Sequence, residues 1–271
     1  MSLVSTNWLE KNLDNVKILD CSWHMPNLQR NAHDEYLREH IPNAIFFDLD
    51  KNSDLNSEFP HMLPDEKTWE KNISAFGIKN EDRIIVYDNS DVVSSCRCWY
   101  NFIYFGHDPK MVSVLDGGLN KWKLDKKQIS NKINKIVKSN YRAKENKNLV
   151  KSKKQIQVNI EKNKFLVIDA RSKERFEGKV PEPRKNLRSG SIKNSYCLPF
   201  GEIVNENHTF KNRDEIIYKF NKLLGSNKQK EIVFSCGSGV TAAVLALAYS
   251  LINNKYKPSI YDGSWAEYGK I

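Results

Sequence analysis

No run of about 18 apolar residues occurs in this 271-residue chain, so no membrane-spanning helix is expected. The amino terminus, Met-Ser-Leu-Val-Ser-Thr-Asn-Trp-Leu-Glu, lacks a basic stretch followed by an apolar one and does not read as a secretory signal. Cysteine is sparse: Cys21, Cys96, Cys98, Cys197 and Cys236 make five, an odd number, with no Cys-x-x-Cys pair. That argues against a disulfide framework and for a reducing compartment, expected to be the cytoplasm. Cys96-x-Cys98 has no second Cys/His pair near it in sequence, so it reads as two ordinary cysteines in a helix and not as half of a metal site. Acidic residues are outnumbered, 33 against 43 basic, leaving a net charge of +10. Much of the excess lies between Lys121 and Lys164, without interleaved aromatics, and reads as linker and solvated surface. No nucleic-acid motif accompanies it, so neither nucleic acid nor membrane is an expected partner.

What is present is a strand–loop–helix unit near the carboxyl terminus. Ile232-Val-Phe234 is a short apolar run with the pattern of a buried strand. The Ala/Leu-rich run from Thr241 to Leu251 has that of a buried helix. Cys236-Gly-Ser-Gly-Val-Thr241 lies between them. A cysteine at this point sits ahead of a helix N-terminus, where unpaired backbone N–H groups and the helix dipole favour a thiolate. Gly237 and Gly239 remove side chains, so that the backbone can curl around an anion held on the sulfur. The rival reading is a buried, inert cysteine at a strand end. The two glycines and the flanking strand and helix together favour the reactive one.

The same order of elements occurs twice. Lys17-Ile-Leu-Asp20 is answered by Phe165-Leu-Val-Ile-Asp169, and Arg83-Ile-Ile-Val-Tyr-Asp88 by Glu231-Ile-Val-Phe-Ser-Cys236. Val114-Leu-Asp-Gly-Gly-Leu119 is answered by Ser259-Ile-Tyr-Asp-Gly-Ser-Trp265. Helices are expected over Trp8–Leu13, Thr68–Phe76 and Ser94–Phe105. The fold class is α/β: two tandem domains, each a mostly parallel sheet flanked by helices, with the site at the carboxyl ends of the strands. The expected division is 1–124, a Lys/Asn-rich linker over 125–148, and 149–271. Asp88 stands in the first half where Cys236 stands in the second, so the first half is expected to be scaffold.

On these residues the chain resembles the two-domain rhodanese-like sulfurtransferases, and most closely the 3-mercaptopyruvate sulfurtransferases. Further stretches that carry the likeness are Asp20-Cys-Ser-Trp-His-Met-Pro26, His40-Ile-Pro-Asn-Ala-Ile-Phe-Phe-Asp48, His61-Met-Leu-Pro64, Pro181-Glu-Pro-Arg184 and Tyr261-Asp-Gly-Ser-Trp265. The resemblance covers nearly the whole chain. It implies that Cys236 takes a sulfur atom from a small anionic donor as a persulfide and passes it to a thiol, such as thioredoxin or a small thiol, or to cyanide. It implies no metal or organic cofactor. The thiosulfate enzymes of the family usually carry Arg-Lys after the cysteine; Gly237-Ser238 here matches the mercaptopyruvate type, with thiosulfate the alternative donor. By the same resemblance, Arg175 and Arg184 bind the donor, and the N–H groups of Gly237, Gly239, Val240 and Thr241 hold the sulfur anion. Ser238, His61 and Asp50 then form a proton path. Arg171 is expected to be structural. Lys193-Asn194 departs from a common Pro-Gly, which touches a turn and not the chemistry.

Two other classes are weighed. A phosphatase of the Cys-x5-Arg type would need an arginine at position 242, which is Ala242. A non-catalytic interaction module would have its cysteine missing or masked, and Cys236 is present.

Overall fold

The structure, a computed structural model, describes residues 2–225 and 231–271. The chain divides into two compact units. The first runs from the amino terminus to Leu55 and adds Leu63–Asn146 and Glu206–Thr209; the second comprises Asn56–Met62, Lys147–Asn205 and Phe210–Ile271.

In the first unit, five parallel strands form one sheet: β1 (Leu3–Val4), β2 (Lys17–Asp20), β3 (Ala44–Phe46), β4 (Ile84–Tyr87) and β5 (Val112–Leu115). Their spatial order is β1-β5-β4-β2-β3. β4, Ile-Ile-Val-Tyr, is apolar throughout and buried at every position because both faces of the sheet are covered. Ile85 and Tyr87 pack on one face with Ile18, Leu115 and Trp122. Five helices belong to this unit: α1 (Thr6–Glu10), α2 (Ala32–Arg38), α3 (Glu66–Ala75), α4 (Ser95–Tyr104) and α5 (Gly118–Leu124). Every residue of α4 is buried, including Cys96 and Cys98. The amino-terminal helix begins earlier than its apolar spacing predicts, because the Ser5 hydroxyl accepts from the Trp8 amide and caps it. The Lys/Asn-rich stretch up to Asn146 lies in this unit as an extended strap. Tyr141 is buried and stacked on His107, and the amides of Ser139 and Lys144 donate to the carbonyls of Ser74 and Phe105. Ile133 and Val137 are exposed.

The second unit repeats the plan. β6 (Val150–Lys151), β7 (Phe165–Asp169), β8 (Tyr196–Cys197), β9 (Glu231–Ser235) and β10 (Ile260–Tyr261) lie parallel in the order β6-β10-β9-β7-β8. β7 and β9 run in register, Phe165 opposite Glu231 through Asp169 opposite Ser235. Side chains alternate across β9: Val233 packs with Ile156, Val167, Tyr261 and Trp265, and Phe234 meets the rings of Phe220 and Tyr249 on the other face. The helices are α6 (Lys153–Lys162), α7 (Lys173–Phe176), α8 (Arg213–Leu224), α9 (Val240–Ile252) and α10 (Ser264–Tyr268). Capping boxes, Ser152 with Gln155 and Asn212 with Glu215, start α6 and α8. α9 is apolar nearly all round and nine of its residues are buried, as its Ala/Leu composition requires. In both sheets the chain changes direction of winding between two central neighbours, β2 and β4 in one and β7 and β9 in the other. The loop after β9 therefore opens at such a switch point, where α/β sheets place their ligands.

Candidate active site

β9 ends at Ser235 and α9 begins at Val240, so Cys236-Gly-Ser-Gly239 is the whole connection. Gly239 caps α9 with φ +80°, a conformation that side chains resist. Cys236 is buried, with 2 % of its surface exposed. Among the described residues, none of the five consecutive N–H groups from Gly237 to Thr241 donates a hydrogen bond. The first amides of a helix have no partner within it, and these five, at the head of a 13-residue helix, have the make-up of an anion cradle.

The loop is held from one side by α10. The Ser264 hydroxyl accepts from the Cys236 amide at 3.1 Å and donates to the Tyr261 carbonyl at 2.8 Å. The amides of Trp265 and Ala266 donate to the carbonyls of Cys236 and Gly237, both at 2.9 Å.

Two of the predicted arginines meet the loop. A methyl group built on Gly237 would stand 3.2 Å from Nη2 of Arg175 and 3.6 Å from Nη1 of Arg184. Glycine at 237 thus gives the Arg175 guanidinium room beside the main chain, and Arg184 stands at ordinary contact distance. Arg184 Nη2 donates to Ser238 Oγ at 3.3 Å. Arg175 Nη2 donates to Glu182 Oε2 at 2.5 Å. Glu182, to which no sequence motif gives a role, also accepts from Arg171 at 2.7 Å, and its side chain is 1 % exposed. Arg171 is buried over the Trp265 ring and paired with Asp169 at 2.7 Å. Burial pulls its guanidinium toward neutrality, and the two carboxylates more than offset that and raise its pKa. Arg171 is structural, and through Glu182 it anchors Arg175.

His61 lies in the second unit, where its Nδ1 is 2.9 Å from Ser238 Oγ. It is buried and holds φ +63°, a strained value for a residue with a side chain. Arg184 donates to the same oxygen, so Ser238 Oγ bridges the guanidinium and the imidazole. Asp50 lies in the first unit, where its Oδ2 accepts from Trp23 Nε1 at 3.1 Å. The structure thus brings Cys236, Gly237, Ser238, Gly239, Val240, Thr241, Arg175, Arg184 and His61 together within one unit.

The matching loop of the first unit is closed. The Asp88 carboxylate accepts from the amides of Ser90 and Ser95, both at 2.9 Å, and the Asn89 amide donates to Ser22 Oγ at 2.8 Å. Burial raises the Asp88 pKa. Cys197, half-buried at the end of β8, is pushed up to about 12 by burial, so its sulfur stays a thiol. Among the described residues no group of three or more His, Cys, Asp or Glu is placed to hold a metal ion, and no helix is long and apolar enough to cross a membrane.

The fold is a duplicated parallel α/β unit with one cysteine in the loop between a central strand and a buried helix. The sequence pattern of the rhodanese-like domain matches residues 5–125 and 152–270, and the chain belongs to that family. Within it, the chain is 40% identical over 289 residues to "Thiosulfate/3-mercaptopyruvate sulfurtransferase 1, mitochondrial" of Arabidopsis thaliana, covering 98% of this chain and 75% of that one. It is 34% identical to 3-mercaptopyruvate sulfurtransferase of Homo sapiens, covering 98% and 91%. The crystal structure of SseA from Escherichia coli, described under 3-mercaptopyruvate sulfotransferases, superposes with a TM-score of 0.87 at 33% identity, covering 98% of this chain and 99% of that one.

Proposed function

We propose that this chain is a sulfurtransferase that moves a sulfur atom from 3-mercaptopyruvate, through a persulfide on Cys236, to a thiol or cyanide, and releases pyruvate. The observation that carries this reading is the row of unpaired amides from Gly237 to Thr241 beside the cysteine. An anion on the sulfur fills it, and a persulfide is such an anion at neutral pH.

The Cys236 thiolate attacks the donor sulfur. The carbon–sulfur bond breaks, and its electron pair passes into the donor as the enolate of pyruvate. The donor's thiol proton moves by way of Ser238 and His61 to the methylene carbon, which leaves pyruvate and an enzyme persulfide anion. Proton and charge both balance. Arg175 and Arg184 hold the donor's carboxylate and ketone oxygens and stabilise the enolate as it forms. A thiol then takes the outer sulfur with its proton, and the Cys236 thiolate returns. Asp50 keeps its expected share in the proton path as part of this proposal. All five cysteines are free, which supports a reducing compartment, and the cytoplasm is the compartment proposed.

Gly237 and Ser238 place no cationic side chain on the loop, which favours a donor with one carboxylate over dianionic thiosulfate. The test is a side-by-side assay of pyruvate release from 3-mercaptopyruvate and thiocyanate formation from thiosulfate plus cyanide. The first is expected to be the more efficient; equal or greater thiosulfate efficiency would assign the protein to the alternative donor. Cys236→Ser is expected to abolish both activities. Arg175→Ala and Arg184→Ala are expected to lower kcat/KM roughly 100-fold, the loss of one or two charge-assisted contacts, and Asp50→Asn and His61→Ala to lower kcat.

A further inference from the structure

The anion cradle does not orient itself. In a trans peptide the carbonyl of one residue and the N–H of the next point in opposite directions. The Cys236 and Gly237 carbonyls are both fixed on amides of α10, Trp265 and Ala266, at 2.9 Å. The N–H groups of Gly237 and Ser238 therefore point away from α10, on the side opposite those two bonds. The remaining polar group of this segment, the Cys236 N–H, is taken by Ser264 Oγ. Three consecutive residues at the start of a short helix thus grip the two residues that open the loop.

Ser264 is set apart by its backbone. It holds φ +48° and is fully buried. Gly118 occupies the corresponding place in the first repeat, at φ +54°, and the following Leu119 amide donates to the Asp88 carbonyl at 2.9 Å. Backbone geometry alone would call for glycine at 264 as well. What serine adds is a hydroxyl, and that hydroxyl is spent on the nucleophile's own amide. In the first repeat no such hydroxyl exists, and the loop is closed by the carboxylate of Asp88.

We propose that Ser264, with the first turn of α10, is a positioning residue for the sulfur-transfer reaction: it holds the Cys236 main chain so that the amides of Gly237 and Ser238 face the sulfur. This rests on the function proposed above, in which those amides bind the thiolate and persulfide. Without the hydroxyl, the buried Cys236 N–H has no acceptor and competes for another by turning the loop.

The test uses Ser264→Gly and Ser264→Ala. Glycine keeps the left-handed backbone that Gly118 shows to be compatible with this turn, and alanine keeps the Cβ. Two readouts are taken on full-length protein, with thermal denaturation as the check on folding. The first is the rate of Cys236 alkylation by iodoacetamide at neutral and at alkaline pH, which needs no sulfur donor. The ratio of the two rates is expected to fall roughly ten-fold in both variants. The second is steady-state sulfur transfer, with kcat expected to fall roughly ten-fold or more and the donor KM to change less than two-fold, because Arg175 and Arg184 are untouched. A folded Ser264→Gly with the wild-type alkylation ratio and wild-type kcat would overturn the proposal. If glycine alone restores wild-type values and alanine does not, the serine serves backbone geometry only, which also overturns it. Failure of the functional reading is seen separately: wild-type protein would then take up no sulfur on Cys236 from either donor, whatever the alkylation ratio of the variants.

Discussion

Asp88 closes its own loop by folding a carboxylate back onto the amides of Ser90 and Ser95. Cys236, at the equivalent place, leaves its amides open. The difference is one of acceptors: a carboxylate brings two oxygens that accept from the amides of its own loop, and a sulfur fills the cradle only when ionised or loaded. Cys236→Asp should therefore give an inactive protein that melts higher than Cys236→Ala, by about 1 kcal/mol for the new capping contacts. Thermal denaturation of the two variants checks this, and a lower melting temperature for the aspartate would show that the loop does not favour an anion. That one repeat has a cysteine at this place and the other an aspartate was legible in sequence, since it needs only the alignment of two short motifs. The part played by Glu182 was not. Its importance comes from sitting between Arg171 and Arg175, and a glutamate flanked by prolines carries no such signal by itself.

The turn that leads into α5 is set by close approach. A Cβ on Gly118 would stand 2.2 Å from the Asp88 carbonyl oxygen, and φ there is +54°. Gly118→Ala should destabilise the first unit by about 2 kcal/mol or more, through clash and backbone strain together. Denaturant unfolding measures this, and a loss below half that size would mean that the turn relaxes at little cost. The central strands and the helices α4 and α9 were readable because burial on all sides leaves continuous apolar runs. β1 and β6 were not. Each has two residues, Leu3–Val4 and Val150–Lys151, and exists as a strand only through pairing with β5 or β10. The strap that carries Tyr141 illustrates the same point: its polar sequence looks solvated, yet its main chain is tied to Ser74 and Phe105.

For the molecule as a whole, stability should depend on pH through carboxyls buried in the first unit. Burial, only partly offset by hydrogen bonds from Ser22, raises the Asp20 pKa from 3.8 to about 6. The folded state keeps this proton over a range in which the unfolded chain has lost it. The stability it contributes is complete below the unfolded value and is lost as pH rises through about 6. Asp20→Asn, which keeps an acceptor for the Ser22 amide, should raise stability at neutral pH by on the order of 2–3 kcal/mol and leave it unchanged below about pH 4. Melting temperatures at the two pH values decide it; an equal gain at both would show that the charge is not the cause.

The amino-acid sequence alone determined the duplication, the parallel α/β architecture, the loop cysteine and the asymmetry between the halves. These follow from periodicity and from motifs a few residues long. Only the tertiary structure decided which amides stay unpaired, that Ser264 takes the amide of Cys236, and that His61 meets Ser238. Those depend on contacts between residues 28 and 177 positions apart. Hydrogen bonding is satisfied in three dimensions, so where a donor is left over can be counted only after every other pairing has been made.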